Sequence, residues 1–170
     1  MSGHRNVAFD AAVLPLLDDV FDFARHLTGE HAAAEELAQA AFARAFEAFH
    51  RFRAGTSARA WLFTIVRNLY FNDQRGRRRH PTISLEEVGD LGAALEEPAS
   101  DQTLELDQAI ALLPVKLREV VVLDLQGLTC REIAGVVTCP AGTVMSRLHR
   151  ARQVLRGLLE VPARSRGVHP

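Results

Sequence analysis

The chain has 170 residues, of which 48% are hydrophobic and 24% charged, and its net charge is -1. This is the balance of one ordinary folded domain or two small ones, and it excludes both a disordered chain and a protein that coats nucleic acid by bulk charge. With 2 cysteines, Cys130 and Cys139, no disulfide framework is available, and no run of about 18 apolar residues is present to cross a membrane.

The opening stretch, "MSGHRNVAFDAAVLPLLDDVF", gains acids where a secretory signal would stay apolar, so a cytoplasmic, reducing location is expected. Alanine and leucine are abundant and strand-type alternation is absent, so every predicted element is a helix. The first runs from about Asp10 to Leu27 and stops at Thr28-Gly29. The second covers roughly His31 to Phe49. Its Glu36, Gln39, Ala40, Ala43 and Glu47 point together, away from Leu37, Ala41, Ala45 and Ala48. Small residues ringed by acids make a flat strip on which another helix can dock.

Gly55 breaks the chain and Ser57 is placed to cap a third helix, from about Ala58 to Arg78. Trp61, Leu62, Ile65, Val66 and Leu69 form its buried face. Thr64, Arg67, Asn68, Phe71 and Arg75 fall on the other side, and Arg77 to Arg79 continue the charge. An exposed aromatic between amides and arginines suits unpaired bases, because stacking and phosphate attraction act together. Asn68 can meet the edge of an extruded base.

Between His80 and Val115 there is no Lys or Arg, while Glu86, Glu87, Asp90, Glu96 and Glu97 accumulate among Pro81, Gly89, Gly92 and Pro98. Residues 80–102 therefore read as a flexible acidic linker. The fold class expected is all-α, two small helical domains on either side of it. One consequence would be pairing of these acids with Arg75–Arg79 or with the C-terminal basic helix.

Beyond the linker, helices are predicted over about Leu104–Leu112, Val115–Leu125, Thr129–Val136 and Ala141–Leu159. Thr129 with Glu132 three residues on is a complete capping box, and Pro140 suits the first turn of the last helix. The two last helices, joined by a tight turn, fit a helix-turn-helix. At about 100° per residue, Val144, Leu148, Ala151, Leu155 and Leu158 share one inward face of the final helix. Ser146, His149, Arg150 and Gln153 lie opposite, with Met145, Arg152 and Arg156 at a flank and Arg147 nearer the buried edge. From Pro140 to Leu159 there is no acid to repel phosphate. This is the chemistry of a major-groove reader: arginine for guanine or phosphate, polar groups for base edges. From charge alone, a solvated basic helix closing a bundle fits as well.

An enzyme is not expected, because no phosphate-cradling glycine loop, metal-ligand cluster or nucleophile motif occurs. A zinc site on Cys130 and Cys139 would need two further ligands and finds only His149 nearby, so no metal or cofactor is expected. Both cysteines read as small packing residues of the helix-turn-helix. A stand-alone helix-turn-helix regulator is the alternative reading, but Met1–Arg79 shows neither a receiver nor a ligand domain.

"LPVKLREVVVLDLQGLTCREIAGVVTCPAGTVMSRLHRARQVL" resembles region 4 of the sigma-70 family. "LTGEHAAAEELAQAAFARAFEAFHRFRAGTSARAWLFTIVRNLYFNDQRGRRR" resembles region 2 of the same family. With no recognisable region 3 between them, the order resembles the extracytoplasmic-function (ECF) branch. The resemblance implies region 2 over 8–79, the linker over 80–102 and region 4 over 103–160. It implies a dissociable subunit of bacterial RNA polymerase with promoter DNA as its second partner and an anti-sigma factor as its regulator. Neither a small-molecule substrate nor membrane insertion is implied. Core polymerase would dock on Glu35, Glu36, Gln39 and Ala43, although Ala40 and Ala41 stand where the family often has a Glu-Thr pair. The -10 element would be read and melted by Arg53, Ser57, Arg59, Trp61, Asn68, Phe71, Asn72 and Arg75. The -35 element would be read by Thr143, Met145, Ser146, Arg147, His149, Arg150 and Arg152, with Met145 where the family often has Lys or Arg.

Overall fold

The computed structural model describes residues 2–79 and 101–160, all helix and turn. The acidic stretch Glu86 to Glu97, and its pairing with arginines, lie outside the described residues. Asp101 and Gln102, assigned to the linker by sequence, already belong to a helix.

The long first helix expected over Asp10–Leu27 is two helices, α1 (Ser2–Val13) and α2 (Leu17–Thr28), joined by a 3-10 turn at Leu14–Leu16. Pro15 is the cause: it has no N–H to give the helical ladder, and its ring disfavours helical geometry at the residue before it. Helix α2 buries Val20, Phe23, Ala24 and Leu27 and ends at Gly29. There φ is 75°, and the Gly29 N–H donates to the Arg25 carbonyl at 2.8 Å.

Helix α3 (His31–Ala48) buries Ala34, Ala38, Ala41 and Ala45, a row of small side chains along which α2 and α4 approach. A 3-10 turn at Phe49–Arg51 and a turn through Gly55 (φ 90°) lead to α4 (Ala58–Arg79). The Ser57 hydroxyl accepts from the Ala60 N–H at 3.1 Å, capping α4 as its sequence implies. Leu62, Phe63 and Val66 are fully buried, whereas Trp61, Ile65 and Leu69 are only partly so. The buried stripe of α4 is thus rotated toward Phe63, which packs 5.1 Å from the Phe23 ring of α2.

In the second half, α5 (Asp101–Ala111) and α6 (Val115–Leu125) precede α7 (Cys130–Val137) and α8 (Ala141–Glu160). Helix α6 is apolar on nearly every side, burying Leu117, Val120, Val121, Val122 and Leu123, because α2, α7, α8 and α5 all pack on it. The capping box of α7 is formed: Thr129 Oγ1 accepts from the Glu132 N–H at 3.3 Å and the Glu132 carboxylate accepts from the Thr129 N–H at 2.8 Å. Thr138 ends α7 in the left-handed region (φ 56°), a position that glycine or asparagine occupies with less strain.

The halves are not separate bodies in this structure. Helix α4 packs on α7 and α2 packs on α6, so the buried side chains of both halves form one continuous cluster.

Candidate nucleic-acid interface

Helix α8 is held by Val144, Leu148, Ala151 and Leu155, all buried, with Leu158 partly so. The inward stripe expected from periodicity is therefore observed. Met145, Ser146, His149, Arg150 and Arg152 are exposed and Thr143 is half-buried. Met145, at 63% exposure, is an exposed apolar side chain on a polar face. The Ser146 hydroxyl donates to the Gly142 carbonyl at 3.0 Å, so one of its two roles is already taken by its own helix. Arg152 Nη2 donates to Asp124 at 3.2 Å while remaining 63% exposed. Arg147 stands apart from this face. It is 23% exposed and turns inward, with Nη1 3.8 Å from Glu119 Oε1.

On α4, Asn68, Asn72 and Arg75 are exposed. Phe71 is half-buried instead of standing open: the Arg67 guanidinium lies over its ring, 4.6 Å from the centroid, and Tyr70 meets it edge-on at 5.1 Å. Arg67 also crosses to the other half of the chain. Its Nε donates to Glu119 Oε2 at 2.7 Å and its Nη2 to Glu119 Oε1 at 3.3 Å. The Glu119 side chain has no exposure.

The turn before α4 is similarly engaged. Arg53 is exposed, and its carbonyl accepts from Thr56 Oγ1 at 2.7 Å. Arg59 pairs with Asp19 of α2 at 2.7 Å and donates to the Gln126 carbonyl, beyond α6, at 2.6 Å. Trp61 lies against Phe52 and Phe49, with centroids 5.1 and 6.3 Å away. An open groove of about 400 Å³ runs between Thr56, Ser57, Ala60, Trp61 and Thr64 on one wall and Glu132, Gly135 and Val136 of α7 on the other. Hydrogen bonds from Thr129 hold the Glu132 carboxyl below its ordinary value, helped by Ser57 and the charge of Arg59. The candidate -10 residues Ser57, Arg59 and Trp61 therefore face the second half of the chain.

The remaining candidate strip, on α3, is open. Glu35, Glu36, Gln39, Ala40 and Ala43 are all exposed. Glu35 pairs with His31 at 3.3 Å and Arg44 with Glu47 at 3.1 Å, both along the helix.

Sequence reading missed the ties between the halves: Asp19, Arg67, Asp107, Arg118 and Glu119. Arg118 donates to the His26 carbonyl at the end of α2 and to the Leu113 carbonyl, both at 2.9 Å. Burial lowers its affinity for the proton from the ordinary arginine value. Arg25 and His26 approach Asp107 to 3.8 and 3.9 Å. One signal was available: Glu119 immediately precedes the apolar run "VVVL", Val120 to Leu123, on a helix with apolar residues on nearly every side, where an acid needs a partner.

Comparison with known proteins agrees with this geometry. Residues 13–80 match the family model Sigma-70 region 2, and residues 103–155 match Sigma-70, region 4. The chain is 35% identical over 160 residues to the ECF RNA polymerase sigma factor SigE of Mycolicibacterium smegmatis, covering 89% of this chain and 62% of that one. It is 34% identical over 155 residues to the ECF RNA polymerase sigma factor EcfG of Rhodopseudomonas palustris, covering 88% and 83%. Among solved structures it is similar to the sigma factor RpoE of Bartonella quintana in complex with the anti-sigma factor NepR. That likeness has a TM-score of 0.77 at 29% identity and covers 91% of this chain and 98% of that one.

Proposed function

The chain belongs to the ECF branch of the sigma-70 family, and from that premise we propose which of its surfaces performs each part of the work. Members of the family are non-enzymatic initiation factors that bind core RNA polymerase and direct it to promoters.

Region 4, taken as 103–160, reads the -35 element through the outward face of α8. One observation carries this: Ser146, His149 and Arg150, with Arg152 at their flank, are exposed on a helix that carries no acid before Glu160 and is held from behind by a buried stripe. Arginine and imidazole offer donors to guanine or phosphate, and Thr143 and Ser146 offer hydroxyls at the start of the helix, where recognition helices meet bases. Region 2, taken as 8–79, contacts the melted -10 strand through Asn68, Phe71, Asn72 and Arg75, and through Arg53, Ser57, Arg59 and Trp61 once α7 has moved away. The exposed α3 strip of Glu35, Glu36, Gln39 and Ala43 docks on core polymerase.

An anti-sigma factor is the proposed regulator, by analogy with the Bartonella quintana complex. No described helix is long and apolar enough to cross a membrane, and the cytoplasm is the proposed location. Run-off transcription with purified core polymerase tests the reading. Promoter-specific transcripts are expected, together with binding of core in the absence of DNA. A chain that binds promoter duplex but never core would instead be a stand-alone helix-turn-helix regulator.

A further inference from the structure

Glu119 is the one fully buried charged residue among the described residues, and it belongs to no surface assigned above. It accepts two hydrogen bonds from Arg67 of region 2, and Arg147 of α8 approaches its other side. The Arg67 geometry is that of a guanidinium fork on an oxyanion, the arrangement arginine also makes with phosphate.

We propose that Glu119 stands in for a DNA phosphate in the closed chain. It holds Arg67 away from nucleic acid, and when the halves part Arg67 becomes a contact to the melted strand. The proposal rests on the reading of α4 as the single-strand face. Three observations place Arg67 there. It adjoins the exposed Asn68 on α4, its guanidinium lies over the Phe71 ring, and its anionic partner among the described residues, Glu119, comes from the other half. Once released, the guanidinium and the Phe71 ring form a stacked pair beside Asn68, suited to a base on one side and a phosphate on the other.

Separation is feasible because Glu119 does not lose every cation. Arg147 lies in the same half as Glu119 and stays with it, whereas a buried carboxylate left with no partner would strongly oppose opening. The inward turn of Arg147 then has its own explanation. Arg147 balances Glu119 in both arrangements.

The test uses the full chain without polymerase. Wild type, Glu119→Gln, Arg67→Gln and the double variant are titrated with a fluorescent single-stranded oligonucleotide over a salt series, and small-angle scattering gives their dimensions. Glu119→Gln is expected to expand and to bind the strand about fivefold more tightly or better. Its salt dependence should be steeper than that of the double variant by about 0.7 in log–log slope, the contribution of one phosphate on single-stranded DNA. Arg67→Gln should expand as well. Wild-type dimensions and affinity in Glu119→Gln overturn the latch, and equal slopes with and without Arg67 overturn its role as a contact. If Glu119→Gln loses its helical signal, Arg67→Gln decides alone, and wild-type dimensions in that variant overturn the latch. Run-off transcription by the wild type is read separately. A chain that opens but does not transcribe keeps the latch and loses the polymerase reading, and a chain that transcribes with variants that stay closed does the reverse.

Discussion

Asp22 sits on α2 beside Arg25, His26 and Asp107, close to the second half of the chain. Burial pushes its carboxyl above the ordinary 3.8, outweighing the nearby Arg25 and His26, while Asp107 and Asp18 add repulsion. A raised carboxyl in the folded state means that folding takes up a proton as pH falls through the interval just above 3.8. Stability from this group is therefore gained on acidification, and the ionised form is unfavourable at neutral pH. Asp22→Asn should raise the urea midpoint at neutral pH, with the gain shrinking as pH falls toward 3.8. Arg150 belongs to the opposite case, an exposed cation on α8 that pairs with no acid among the described residues. Arg150→Ala should weaken -35 DNA binding by about 1–3 kcal/mol if it grips guanine, or reduce the salt slope by about 1 if it grips phosphate. Fluorescence anisotropy over a salt series separates the two outcomes.

Helices give different lessons about what local sequence can tell. The α7 capping box was legible because both partners lie within one turn, and Thr129→Ala should cost about 1 kcal/mol in chemical denaturation. The stripe of α8 was legible because its period is intrinsic to the helix. The break at Pro15 was equally local, and the helical pattern on both sides of it concealed it. The rotation of α4 toward Phe63 was not legible in the same way, because Phe23 on another helix decides it. Helix α3 offers a test of its open strip. Glu36→Lys with Gln39→Ala should weaken core polymerase binding and leave circular dichroism unchanged, since both positions are exposed and outside the alanine row. Competition against the wild type for core measures it.

At the scale of the molecule, the buried cluster runs through both halves. One calorimetric transition is therefore expected for the free chain, with van't Hoff and calorimetric enthalpies equal, where independent domains would give two. Sequence indicated two units because each carries its own helical pattern and an acidic stretch divides them. It could not indicate their docking, which rests on pairs far apart in the chain: Arg59 with Asp19 and Gln126, Arg67 with Glu119, Arg118 with the His26 carbonyl. The docking has a consequence for timing. In this arrangement the outward face of α8 is already bare, while Ser57 and Trp61 line the groove beneath α7 and Arg59 is tied to Asp19 and the Gln126 carbonyl. A double helix can be met by α8 before any rearrangement, whereas a separated strand finds its full set of contacts only after one. Encounter thus precedes commitment, and a stopped-flow record on a promoter fork should show a concentration-dependent phase followed by a slower phase independent of concentration.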